Sequence, residues 1–153
     1  MAQYLSNELA GTTTGTTQVS SVAAGYRPKA SVYGARLKRL RATVTMASQT
    51  TSDTLLLGNL PAGAVFAFGL MTVSASTGSA TLAIGYSGTA GAYRAAAALT
   101  TTDTPTLFGV TATGPAASDA GSTTETPIIG TIAGATMPSS GTMVVDIFYS
   151  MPN

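Results

Sequence analysis

The sequence predicts an all-β fold, a jelly-roll-like β-sandwich or barrel of about eight strands with an extended N-terminal arm. Three observations predict it. Ala, Gly, Ser and Thr supply 85 of the 153 residues, a composition suited to closely packed sheets, with Thr on pleated faces and Gly in turns. From Leu40 onward, short stretches of alternating apolar and polar residues recur at regular spacing, which is the period of half-buried strands. The connections between them are rich in Gly, Pro and Ser, and no fixed-period repeat runs through the chain.

Residues 1–38 read as the arm. They show no sustained strand or helix period and run through "AGTTTGTTQVSSVAAGYRPKASVYG", punctuated by Pro28. Such a segment is ordered only where something holds it. Residues 39–153 read as the sandwich domain, and a chain of this length buries about two-thirds of its unfolded surface on folding.

The strands follow in order. Leu40, Ala42, Val44 and Met46 alternate with Arg41, Thr43, Thr45 and Ala47, so Arg39 and Arg41 fall on the polar face of a first strand. A short apolar strand near 54–57 leads through a Gly-Asn-Leu-Pro-Ala-Gly turn into a long strand near 64–74. There Phe66, Phe68 and Leu70 share one face, and Val65, Met71 and Val73 share the other. A strand apolar on both faces is central, or its second face meets another subunit. Val65, Met71 and Val73 are therefore candidates for a subunit interface. "SATLAIGY", "YRAAAAL", "TPTLFGV", "TPIIGTIAGAT" and "GTMVVDIFYS" complete the series. The run "AAAA" at 95–98 has high helix propensity, but its flanks leave too few turns for a stable helix, so strand or irregular structure is expected.

Composition argues against catalysis. The chain has neither His nor Cys, which removes the commonest general base, the usual zinc ligands, thiol nucleophiles and any disulfide. The acids Glu8, Asp53, Asp103, Asp119, Glu125 and Asp146 are scattered, with no carboxylate pair announced by spacing. Asp53 and Asp103 sit among Thr residues just before strands, where an Asp side chain fixes a turn by accepting backbone N–H bonds. "GYSGTAG" at 85–91 lacks the ending of a phosphate-binding loop and reads as a hairpin. No acidic calcium loop is present. The expectation is a protein that is not an enzyme and takes no cofactor, metal or small-molecule substrate. No stretch is apolar enough to span a membrane, and no basic segment precedes an apolar run at the N-terminus, so a soluble protein without a secretion signal and without a membrane partner is expected.

Charge is sparse but unevenly placed. Only 8% of residues are charged, and six of the seven bases, Arg27, Lys29, Arg36, Lys38, Arg39 and Arg41, lie in "RPKASVYGARLKRLR". Through Arg41 the chain carries six bases against Glu8, a net +5, and beyond it Arg94 stands against five acids, a net −4. A nucleic-acid site is the first idea for such a stretch. The acidic remainder would repel phosphate, and no RNA-binding module surrounds Tyr33 or Tyr26 just before the stretch, so no nucleic-acid partner is expected. An acidic protein surface, on a neighbouring identical subunit or a larger partner, is the better match, and these six bases are the candidate partner-binding residues. The competing reading is a solvated basic strand edge that discourages aggregation. Asp146 in "MVVDIFY" shares a face with Val144 and Phe148, while Met143, Val145 and Ile147 take the other. A carboxylate among apolar neighbours wants a partner: Arg94 is the candidate, with a base of the 27–41 stretch as the alternative.

Residues about 40–150 resemble small structural proteins encoded beside the major capsid protein in tailed-bacteriophage genomes, the capsid decoration or cement proteins. The resemblance is carried by "LPAGAV", "ATLAIG", "YRAAAALTTTDTPTLFG" and "MPSSGTMVVDIFY". It implies a sandwich or jelly-roll body, a homotrimer, seated on the exterior of the virion capsid after assembly in the host cytoplasm, with the major capsid protein as partner and no catalytic residues. The alternative within the same setting is a phage tail or fibre module that binds host glycans.

Overall fold

The computed structural model describes residues 36–51, 53–110 and 121–151. These contain eight strands: β1 (Leu37–Thr45), β2 (Thr54–Leu60), β3 (Val65–Val73), β4 (Thr81–Tyr86), β5 (Thr89–Ala98), β6 (Thr106–Phe108), β7 (Thr126–Ala133) and β8 (Thr142–Ser150). They form two four-stranded antiparallel sheets in the orders β1-β8-β3-β6 and β2-β7-β4-β5. The pairs β1·β8, β2·β7, β3·β6 and β4·β5 join the two halves of the chain like one long hairpin turned between β4 and β5. Winding that hairpin on itself brings β8 against β3 and β7 against β4, and the result is a jelly roll. The all-β expectation stands. The run at 95–98 lies in β5, paired to β4, so tertiary pairing overrides the helix propensity of alanine.

The core lies between the sheets. Met143, Val145 and Ile147 of β8 lie beside Met71 and Val73 of β3 on the inner face of one sheet, within one buried cluster that includes Leu82, Ile84, Ile128 and Ile132 from the second sheet. Each fully buried large aliphatic side chain contributes about 1.5–3 kcal/mol. The inner row of β1 closes one side of this cluster with Leu40, Ala42 and Val44, followed by buried Met46, as its alternation predicts. Strand β2 runs longer than expected, to Leu60, and its register against β7 shifts between Leu56 and Gly58. The turn that follows is therefore shorter than the six residues assigned to it.

One expectation fails in β3. Its register against β8 shifts between Phe66 and Phe68, so Ala67 is an extra residue in a β-bulge. The bulge reverses the parity on either side of it. Phe66 turns inward onto Tyr93, their ring centroids 4.4 Å apart, and beyond the bulge Met71 and Val73 point into the core. Val65 is buried as well. The expected interface residues Val65, Met71 and Val73 are thus buried within a single chain. The second apolar face of the strand is carried by Phe68 and Leu70.

Candidate functional site

Strand β1 is the edge of its sheet and pairs on one side with β8. Antiparallel pairing places Arg41 opposite Asp146 and Arg39 opposite Phe148, all four on the outer face. Arg41 closes on Asp146 with two parallel bonds, Nε to Oδ1 at 2.7 Å and a terminal nitrogen to Oδ2 at 2.6 Å. Two such bonds combine charge with fixed geometry. Arg39 stands 3.9 Å from the same carboxylate. The arginine side chains remain about half exposed, whereas that of Asp146 is 12% exposed. The bonds from Arg41 hold the Asp146 carboxyl below its usual range, and those same bonds raise the Arg41 guanidinium.

The sequence therefore anticipated a partner for Asp146, but Arg94 is not that partner. Arg94 belongs to β5 in the other sheet, and its guanidinium donates to the backbone carbonyls of Leu82 and Ala97, where the β4–β5 register shifts. Burial lowers its pKa, and the two carbonyls supply the acceptors that a buried guanidinium needs. The ion pair instead draws its base from the basic stretch, across a separation of 105 residues.

Arg36 and Lys38 are exposed at the leading end of β1 beside Arg39. Arg27 and Lys29 lie outside the described residues. The other described acids are placed singly. Asp53 accepts bonds from the Thr50 N–H and hydroxyl, at 2.6 and 3.0 Å, which is the turn-fixing role expected of it. Asp103 adopts φ 52°, and its N–H donates to the Val73 carbonyl. Glu125 accepts from the Asn59 amide.

The larger part of this surface was missed. Pairing aligns Arg39, Phe148 and Phe68 in one row of the outer face, Arg41, Asp146, Leu70 and Leu107 in the next, and Thr43, Val144 and Thr72 in a third. Phe68 and Phe148 stack with centroids 4.6 Å apart. Leu107 is 56% exposed and Leu37, at the head of β1, is 57% exposed. An outer sheet face is ordinarily polar; this one has an apolar centre and a basic edge. The available signal was the grouping of Val144 and Phe148 with Asp146, which marked this face as apolar before its neighbours were known.

Asp146 also gives the fold an acid-sensitive element. A carboxyl with its folded pKa below the unfolded value, about 3.9 for aspartate, stabilises the fold in full above that value. The contribution is lost as pH falls through the lower folded pKa. Asp146→Asn is therefore expected to unfold at lower denaturant than the parent at pH 7, with the gap closing below about pH 4. Denaturation midpoints measured from pH 7 to pH 2 check this; a gap independent of pH would contradict it.

The fold and this surface define a jelly-roll module with one apolar, basic-edged sheet face. No protein-family model matches the chain, and no curated protein sequence matches it significantly. Among solved structures, it is similar to a chain of the cyanophage Pam1 capsid asymmetric unit, at 18% identity and TM-score 0.56, covering 94% of this chain and 99% of that one. It is also similar to a chain of the Ralstonia phage GP4 capsid, at 18% identity and TM-score 0.61, covering 77% and 86%. A chain of the acid-stable capsid of Helicobacter pylori bacteriophage KHP30 is similar at 15% identity and TM-score 0.52, covering 76% and 89%. What is shared at this level of identity is the fold.

Proposed function

We propose that the chain is a non-enzymatic structural protein of a phage virion that decorates and stabilises the capsid, binding the outer surface of the major capsid protein shell as a homotrimer. The observation that carries this reading is the extent of the fold match. The match to a chain of the Pam1 capsid asymmetric unit covers 94% of this chain and 99% of that one. The absence of His and Cys from the sequence and the local, structural engagement of Asp53, Glu125 and Asp146 support a non-catalytic role.

In this reading, Arg36, Lys38, Arg39 and Arg41 meet acidic groups of the shell or of a neighbouring subunit, and residues 1–38, with Arg27 and Lys29, lace subunits together. Many weak copies of one contact then hold a shell through multivalency. The test is sedimentation of the full chain with shells assembled from the major capsid protein encoded in the same genome. Saturable co-sedimentation, weakening as salt is raised, is expected. Binding to host glycans with none to shells would give the protein to a tail or fibre instead.

A further inference from the structure

We infer that the outer face of the β1-β8-β3-β6 sheet is the surface that seats on the shell, and that it recognises a protein surface with an apolar centre and carboxylates along one edge. The inference rests on the decoration reading and adds which face makes the contact. Six apolar side chains, Leu37, Phe68, Leu70, Leu107, Val144 and Phe148, share this face by register. Leu37 and Leu107 are more than half exposed. A contiguous apolar sheet face left to water marks an interaction site, and a pair of stacked aromatics near its middle is the usual composition of an interface anchor.

The charge pattern selects the occupant. Arg41 and Arg39 share the single carboxylate of Asp146, which leaves the outer face with one net positive charge at its β1 edge, and exposed Lys38 and Arg36 add to that edge from the other parity of the strand. A second copy meeting this surface through its own equivalent face would bring the same positive excess. Residues 1–35 carry Arg27 and Lys29 against Glu8, which is again the same sign. An acidic partner is the complementary one, and its charge steers docking and fixes orientation. The acidic edge of the partner lies along β1, and its apolar centre lies on Phe68 and Phe148.

The test measures binding of the full chain to shells assembled from the major capsid protein for five forms: parent, Phe68→Ser, Leu107→Ser, Arg39→Glu and Leu56→Ser. Leu56 is an exposed leucine on β2 of the other sheet, 69% exposed, and serves as the control. Phe68→Ser is expected to weaken binding by about 30-fold or more. Leu107→Ser and Arg39→Glu, whose side chains are exposed and not part of the core, keep the test valid if Phe68→Ser folds poorly. Each is expected to weaken binding by about 5-fold or more, with the Arg39→Glu loss shrinking at high salt. Leu56→Ser is expected to bind like the parent. If the parent binds and the three face variants bind equally well, the face assignment is overturned and the decoration reading survives. A fall in oligomer mass for the face variants with shell affinity unchanged gives the face to a second copy and also overturns it. If the parent does not bind shells, the decoration reading fails and the inference fails with it.

Discussion

Replacing Ile147 with alanine is expected to lower the unfolding free energy by about 2–5 kcal/mol, while the neighbouring change Phe148→Ala costs about 1–2 kcal/mol. Ile147 has no exposed surface and sits on β8 between β1 and β3, facing the second sheet. Truncation there removes methyl groups from the centre of the sandwich and leaves a cavity, because both sheets are fixed by their ladders and relax little. Phe148 lies one residue on, with its ring outside the sheet against Phe68. Its loss removes one aromatic pair and no part of the core. Global stability is only about 5–15 kcal/mol for a domain of this kind, so Ile147→Ala takes a large fraction of it. Urea unfolding of the two variants checks the contrast. Equal losses would mean that the inward and outward parities of β8 are misassigned.

Gly85→Ala is expected to destabilise by about 3 kcal/mol or more, against about 1–2 kcal/mol for Gly88→Ala three residues later. Gly85 is buried near the end of β4, where the β4–β5 register shifts between Ile84 and Tyr86. A Cβ at Gly85 would overlap the Thr89 carbonyl oxygen and lie 2.5 Å from that of Ala90. Both are backbone atoms of the paired strand, so neither yields by a rotamer change, and the hairpin must open. Gly88 in the turn has φ +89° and nothing within 4 Å of an added Cβ; its cost is backbone strain alone. Denaturant midpoints again separate the two. A Gly85→Ala variant as stable as Gly88→Ala would show that β5 does not fold over Gly85 in this register.

The parts of the fold legible in the sequence were those governed by local period. The alternation of β1 and of β8 placed Leu40, Ala42 and Val44 inward with Met143, Val145 and Ile147, and it placed Arg39, Arg41 and Asp146 outward. Both strands keep one unbroken register along their shared ladder, so a period of two carries through from end to end. The faces of β3 were misread because one inserted residue, Ala67, breaks that period inside an unbroken apolar run. A run apolar at every position offers no polar residue to reveal the slip. The partner of Asp146 was undetermined for a different reason. Arg41 and Arg94 are both basic residues in strand patterns, and the choice depends on which strands pair across the chain, a property of the jelly-roll winding that local pattern does not encode. The same holds for the docking face. Phe68, Leu70 and Leu107 join Val144 and Phe148 only once β3, β6 and β8 are laid side by side.

We propose that this jelly roll decorates a phage capsid from the outside of the shell. Electron cryomicroscopy of shells incubated with the full chain tests it most directly. Added density is expected on the outer shell surface at repeated symmetry-related positions, fitted by the sandwich with the β1-β8-β3-β6 sheet turned toward the shell and Arg39 beside capsid carboxylates. Shells that remain bare at saturating protein, or density confined to a tail, would contradict it.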